Sequence, residues 1–245
     1  MQSKRIQFSI QHLLVSISIA AITLLWVFNV WYPTPLAKAT DVTHIFLILL
    51  VVDVILGPLL GFIIYKEGKK TLKFDLAVIF ILQIAAFGYG VHSIAQARPL
   101  WLAYNVDRFE LIRANELMEQ NTRQALSKYQ QPSWLKPQWV GVSMSDSLEE
   151  KNQNLFEEVL AGISLAQRPE RYVDLEKVKN QIRARARNMN ELKEYNEPEH
   201  VDALLNDHPT ANAWLPLKAN AVDMTVLINK ETGEVLKIVD LRPWN

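Results

Sequence analysis

The chain is predicted to be a membrane protein: three N-terminal transmembrane α-helices followed by an α+β domain that ends in a β-hairpin. Three observations carry this. Long apolar stretches fill most of the first 98 residues, with short polar links between them. The remainder, residues 99–245, mixes helical and strand periodicities over enough chain for one domain with its own core. The C-terminus reads as strand, turn, strand.

The membrane domain, residues 1–98, contains spans at about 10–32, 44–65 and 75–95. Ile10–Trp31 carries no charge apart from a proton that His12 can accept. Its apolar core exceeds the roughly 7–15 residues of a signal peptide, and two more spans follow. Retention as a helix is therefore expected, although Ala37-Lys38-Ala39 mimics a cleavage site. The second span, His44–Tyr65, holds one acidic residue, Asp53. At about 1.5 Å per residue such a helix covers the roughly 30 Å hydrocarbon core. The third, Leu76–Ala95, carries only His92 as an ionisable group. Lys4 and Arg5 precede span one, and Lys66, Lys69, Lys70 and Lys73 lie between spans two and three. The link between spans one and two offers only Lys38. The positive-inside rule places the N-terminus in the cytoplasm and everything after span three outside.

In the outer domain Leu100–Phe109 reads as a strand leaving the membrane. Ser147 and Glu150 form a capping box before a helical face of Leu148, Leu155, Phe156, Val159, Leu160 and Ile163. Asp174 is expected to cap a second helix that buries Leu175, Val178, Ile182 and Met189. Lys177, Lys179, Arg183, Arg185 and Arg187 line its other face, read most simply as solvated. Gln130–Gln138, with Pro132 and Pro137, is an ordered loop. Val222, Met224, Val226 and Ile228 alternate along a strand. Asn229–Gly233 then turns the chain, with glycine last for a left-handed residue, and Val235–Leu241 returns.

Chemistry-bearing patterns are sparse. With 26 basic and 26 acidic residues the chain lacks the basic balance that nucleic acid demands. It has no cysteine, hence neither disulfides nor a thiolate metal site. His12, His44, His92, His200 and His208 include no i, i+4 pair. Glu197, Glu199, His200, Asp202, Asp207 and His208 read better as a polar helix with its caps than as a metal site. No catalytic residues, cofactor or metal are expected, and the chain is not read as an enzyme.

The intramembrane polar set is more informative. A carboxylate at mid-bilayer costs about 2.5–3.5 kcal/mol even on lenient scales, so Asp53 is expected to face protein. Gly57 and Gly61 continue its helical stripe at i+4 and i+8, and glycines four apart admit a second helix closely. Gln83 and Thr23 fall at similar depth. Three readings remain open. Asp53 accepts hydrogen bonds from Gln83 and Thr23 in a polar knot that holds the spans; or the stripe docks a partner's transmembrane helix; or Asp53 serves a proton or ion path. Three helices with one acid are few parts for a transporter.

Several runs carry a family resemblance: WYP (Trp31–Pro33), THIF (Thr43–Phe46), VDVILGPLL (Val52–Leu60), FDLAVI (Phe74–Ile79), QARP (Gln96–Pro99), YNVDRFE (Tyr104–Glu110) and TGEVLKIVDLRPW (Thr232–Trp244). In order and spacing these resemble the type IV pilin accessory proteins (the TfpX/TfpZ group), densely over residues 31–115 and again at the last hairpin. The resemblance implies a multi-pass inner-membrane protein with a periplasmic C-terminal domain. Such a protein binds a cognate major type IV pilin, chaperone-like, and supports its stability and assembly into pili. The implied partners are the pilin's transmembrane helix and periplasmic head, membrane lipid, and other proteins of the pilus assembly platform. On this view Asp53, Gly57, Gly61, Gln83 and Thr23 face the pilin helix, while Asp107, Arg108, Arg242 and Trp244 are candidate periplasmic contacts. A stripe facing outward would let Gly57 be enlarged without disturbing insertion. The rival readings are a membrane-anchored periplasmic sensor and a small transporter using Asp53.

Replacing Asp53 by Asn keeps shape and removes charge. In a strain expressing Asp53→Asn at normal levels, pilin immunoblots and fibre counts by electron microscopy are expected to fall. Unchanged values of both would remove the charge from the mechanism.

Overall fold

A bilayer offers the main chain no water to bond, and the apolar stretches meet that demand as helix. The computed structural model describes residues 2–144, 147, 160 and 162–244. They divide into two units, Met1–Ala37 with Asp41–Ala97, and Lys38–Thr40 with Arg98–Asn245.

In the first unit α1 (Gln2–Trp26) runs on into a π-helical turn, Val27–Trp31; the short helix α2 (Leu36–Thr40) follows, with Lys38–Thr40 grouped in the second unit. The second span is built from α3 (Val42–Leu50), a π-helical turn at Val51–Leu56, and α4 (Gly57–Ile64); α5 (Leu72–Gln96) is the third. Lys4–Trp31, Val42–Ile64 and Leu72–Gln96 are long and apolar enough to cross a membrane. Each helix starts earlier than hydropathy suggested, because hydrogen bonding continues through charged residues such as Arg5 and Asp75 that an apolar window excludes. Ile22, Phe74 and Ile84 are about 70% exposed, an arrangement that suits lipid rather than water.

Both ends of this unit are tied. At one, Val27, Trp31, Tyr32, Val42, Phe46, Leu49 and Ile94 form a buried cluster, and the Tyr32 hydroxyl donates to the Ile94 carbonyl at 2.7 Å. At the other, Lys4 pairs with Glu67 at 2.5 Å, Lys69 pairs with Asp75 at 2.7 Å, and the Arg5 guanidinium lies 4.0 Å over the Phe62 ring.

The second unit is organised by one mixed sheet of eight strands. They are β1 (Pro99–Asn105), β2 (Arg108–Arg113), β3 (Gln138–Val142), β4 (Tyr172–Val173), β5 (Arg187–Asn188), β6 (Ala213–Lys218), β7 (Met224–Asn229) and β8 (Glu234–Val239). The order is β4-β3-β1-β2-β6-β7-β8, with β5 pairing the start of β6. β1 runs parallel to β3 and β2 parallel to β6; the other pairs are antiparallel. Every residue of β1 is buried, and β6 and β7 are buried but for their last residues. These central strands are covered on both faces, so their apolar runs do not alternate. On the β1 side, Trp101, Tyr129 and Tyr172 pack edge to face with centroids 5.4–5.9 Å apart. A second core joins Trp214, Leu227, Val239 and Leu241 to Met189, Leu192 and Val201.

Three expectations need correction. The strand from Leu100 ends at Asn105, and the chain turns through Val106 and Asp107 to return as β2. The helix after Asp174 is broken into a 3₁₀ segment Leu175–Val178, a helix Lys179–Arg185, β5, and a second 3₁₀ segment Met189–Glu194. Its apolar spacing still serves, since Val178, Ile182 and Met189 are buried, but pairing of β5 with β6 takes Arg187 and Asn188 out of the helix as strand. Asp174 makes no cap; its carboxylate meets Lys128 at 2.5 Å, which holds it below the usual carboxylate range. Glu150, the partner expected for Ser147 in the capping box, and most of the helical face after it lie outside the described residues. The final turn is as expected: Gly233 has φ +72° and donates its N–H to the Asn229 carbonyl at 2.8 Å.

Val106, at the β1–β2 turn, has φ +60° although it is β-branched. Asp107 N–H donates to the Asn105 carbonyl at 2.7 Å across it. Such a conformation costs about 1–3 kcal/mol, and asparagine tolerates it better. Val106→Asn is therefore expected to raise the melting temperature by about 2–4 °C per kcal/mol recovered, read by thermal unfolding in nanodiscs. An unchanged or lower value would show that neighbouring contacts absorb the strain.

Candidate functional site

The second span departs from regular helix at Asp53, and Pro58 supplies the reason. A proline inside a helix offers no N–H and crowds the carbonyl four residues earlier. Widening the turn to π register relieves this, and Gly57 N–H bonds the Val52 carbonyl. In that register the Asp53 carbonyl falls opposite the Pro58 nitrogen, which has no hydrogen to give. Gln83 of span three approaches instead, its Nε2 lying 3.4 Å from the Asp53 carbonyl oxygen. At that length the bond is weak. Inside a bilayer it is nonetheless the kind of side-chain rescue that makes proline tolerable.

Gln83 reaches this place because residue 57 has no side chain. A Cβ on Gly57 would lie 1.7 Å from Gln83 Nε2. One turn on, a Cβ on Gly61 would lie 3.1 Å from the Phe8 ring and 3.3 Å from His12 Nδ1. Both glycines are buried against the chain's own first and third spans, so the stripe does not present an open outer face.

Above this packing lies a cavity of about 270 Å³. Span one contributes His12, Val15, Ser16, Ile19 and Ala20; span two Leu49, Leu50 and Asp53; span three Phe80, Gln83, Ile84 and Phe87. Spans one and three both pack on span two and approach each other through His12 and Phe80, whose rings are 4.8 Å apart. The rim residues Val15, Ile19 and Ile84 are 58%, 45% and 71% exposed, so the cavity opens outward between spans one and three. Its interior is apolar except for a few groups. Asp53 Oδ2, Gln83 Oε1 and His12 Nδ1 are buried with no hydrogen-bond partner among the described residues. His12 is itself only 8% exposed. Chemically this is a lipid-facing apolar recess with hydrogen-bonding capacity left unused at its base.

The structure thus brings Asp53 and Gln83 together, but not as a polar knot through the carboxylate: the amide takes the main-chain carbonyl that the π turn frees. Thr23 stands apart, its hydroxyl donating to the Ile19 carbonyl of its own helix at 2.9 Å, the ordinary back-bond of a helical threonine. His12 and Ser16 also line the recess, beyond the polar set expected from the sequence. Their signal was present: they are polar and four apart in an apolar span, hence on one helical face.

In the second unit Asp107 and Arg108 sit at the β1–β2 turn, with Arg108 Nε 3.5 Å from Glu110 Oε1 and Nη1 3.9 Å from Asp107 Oδ1. Asp107 also adds to the burial that pushes the Tyr104 hydroxyl up to about 12. Arg242 and Trp244 form an internal clasp. The Arg242 guanidinium donates to the Asp223 carbonyl and to the Asp240 carboxylate, and Trp244 Nε1 donates to Asp223 Oδ2 at 2.8 Å. Asn196 closes the clasp, accepting from Arg242 N–H at 2.7 Å and donating to its carbonyl at 2.9 Å. Burial lowers the Arg242 pKa and Asp223 opposes the shift. Among the described residues no three His, Cys, Asp or Glu side chains gather as metal ligands.

The fold and cavity define a polytopic helical bundle carrying a mixed α+β unit, with an interhelical recess as its candidate binding site. Residues 2–40 match the family model described as fimbrial assembly protein FimB. The chain is 27% identical over 228 residues to the fimbrial assembly protein, serogroup I, of Dichelobacter nodosus, covering 89% of this chain and 88% of that one. The serogroup E1 protein of the same organism is 26% identical over the same shares. The protein of serogroups C1 and C2 is 31% identical over 116 residues, 46% of this chain and 88% of that relative. The chain belongs to this family of fimbrial assembly proteins. No solved structure matches it.

Gly57→Ala is expected to displace Gln83 and lose its bond, at about 0.6–1 kcal/mol in thermal unfolding in nanodiscs. In a Gln83→Ala background the same change should cost almost nothing. Gly88→Ala, where a Cβ would meet no atom within 4 Å, serves as control. An equal loss in both backgrounds would rule out the Gly57–Gln83 contact as the cause.

Proposed function

We propose that this protein is an inner-membrane accessory factor of type IV pilus assembly that holds the transmembrane helix of a major pilin, chaperone-like, in the recess between spans one and three. The carrying observation is that recess: an apolar mouth of Val15, Ile19 and Ile84 over a base where Asp53 Oδ2, Gln83 Oε1 and His12 Nδ1 have no hydrogen-bond partner among the described residues. Membership of the fimbrial assembly family supports the choice of client.

Lipid tails cannot satisfy those polar atoms, whereas a helix bearing a donor or a hydroxyl can. A pilin helix laid along the mouth would bury the exposed apolar rim and complete the hydrogen bonds beneath it. Asp53 and Gln83 are then contact residues, Gly57 and Gly61 set how closely the spans approach, and Thr23 lies outside the contact. The recess is a few side chains in volume, which suits recognition of one stretch of a helix rather than its enclosure.

The basic residues Lys4, Arg5, Lys66, Lys69 and Lys70 orient the N-terminus to the cytoplasm and the second unit to the periplasm, where the pilin head resides. Contact with both parts of one client would act through effective concentration, so each alone can be weak. Asp107 and Arg108, on an exposed turn, suit such a head contact; Arg242 and Trp244 instead brace the domain that presents it. The reading is one of binding and delivery rather than catalysis.

The test is in-cell crosslinking from a photoreactive residue at Ile84, on the rim, against Tyr89, which is exposed on the same helix outside the recess. Capture of the major pilin from position 84 and not from 89 is the expected result. An inserted protein that captures pilin from neither position would overturn the proposal.

A further inference from the structure

Trp134 and Leu135 are 65% and 58% exposed, side by side at the tip of the loop between Gln131 and Pro137. Large apolar side chains at the tip of an outer-domain loop need a reason. The loop is also built rather than slack. Leu135 N–H donates to Ser133 Oγ at 3.0 Å, and Ser133 N–H approaches Gln138 Oε1 at 3.4 Å. Pro132 and Pro137 bracket the turn. The Arg98 guanidinium lies 4.3 Å from the centre of the Trp134 ring.

That contact locates the loop. Arg98 follows the last residue of the third span, Gln96, by two positions. Two residues extend at most about 7 Å, so the Arg98 backbone stays within that distance of the span's end. At about 1.5 Å per residue the span Leu72–Gln96 already exceeds the roughly 30 Å hydrocarbon core, which sets Gln96 at its boundary. Whatever Arg98 touches is therefore one arginine side chain from the headgroup zone. Tryptophan is the residue most suited to that zone, with an apolar ring and a polar N–H, and Lys136 beside it can extend its ammonium to the headgroups.

We infer that the 131–137 loop is an interfacial membrane anchor: Trp134 and Leu135 enter the outer leaflet at the headgroup–acyl boundary, with Arg98 holding the indole and Lys136 reaching the phosphates. The partner is a lipid surface, chosen because covalent continuity with the third span places the loop beside one. The anchor adds a membrane contact outside the three spans. It does not depend on the identity of the client held in the recess.

The chain has no cysteine, so one introduced residue can be labelled uniquely. The full chain carrying Leu135→Cys, labelled with nitrobenzoxadiazole, is reconstituted in nanodiscs of phosphatidylethanolamine and phosphatidylglycerol. A second set contains lipids with a nitroxide at the headgroup end of the acyl chain. The expected result is blue-shifted emission that the nitroxide lipid roughly halves, with a weaker response from Lys136→Cys. Ile84→Cys, on the lipid-exposed face of span three, reports insertion. Water-like emission from Leu135→Cys, unaffected by nitroxide while Ile84→Cys is quenched, would overturn the anchor. So would a probe shielded from aqueous iodide but untouched by nitroxide, which would assign the loop to a protein contact.

Discussion

Everything distinctive in the membrane unit depends on one missing hydrogen. Pro58 cannot donate to the carbonyl behind it, and hydrocarbon offers no water to take its place. The π turn at Val51–Leu56 shifts the register so that the orphan is the Asp53 carbonyl. Gln83 is drawn to that oxygen, and Gly57 is small enough to admit it. With its amide committed to the backbone, Gln83 no longer serves the Asp53 carboxylate, and the polar atoms around the recess are left with capacity to spare. A helix-breaking residue, its compensating side chain and a candidate binding recess are consecutive steps of one accommodation.

The same accommodation explains why the glycines matter without being exposed. In hydrocarbon, helices associate by close packing and interhelical hydrogen bonds rather than by a hydrophobic driving force. Gly57 admits Gln83, Gly61 admits Phe8 and His12, and Gly90 leaves room for Leu49. These contacts bring the spans together around span two and leave the groove between spans one and three open toward lipid. Lipid would fill the volume of such a groove but not its hydrogen bonds, which is the ground on which a client helix is proposed there.

The second unit solves a different problem. Its central strands are buried on both faces, so the sheet needs cover and termination rather than an exposed polar side. The last residues of the chain provide part of that. Arg242 and Trp244 reach back to Asp223 at the entry of β7, while Asn196 fastens the Arg242 backbone. The run that closes the family resemblance is thus a structural clasp in this chain, and the strained turn at Val106 is where the unit presents Asp107 and Arg108.

Sequence alone determined the three spans, the final hairpin and the prominence of Asp53, because these follow from local rules: hydropathy over a helix length, alternation around a glycine-closed turn, and the cost of a lone carboxylate among apolar residues. It did not determine which face each span turns inward. Helix rotation is set by contacts from residues distant in sequence, so Gly57 and Gly61 read equally well as outward or inward until Gln83, Phe8 and His12 were seen against them. Thr23 shared a depth with Asp53 but not a facing, and His12 shared a facing without having been grouped with it. In the second unit the helix expected after Asp174 stops at Arg185, because Arg187 and Asn188 find in β6 a ladder partner that local propensity cannot register. Composition fixes what must be buried; only the tertiary arrangement chooses the neighbour that buries it.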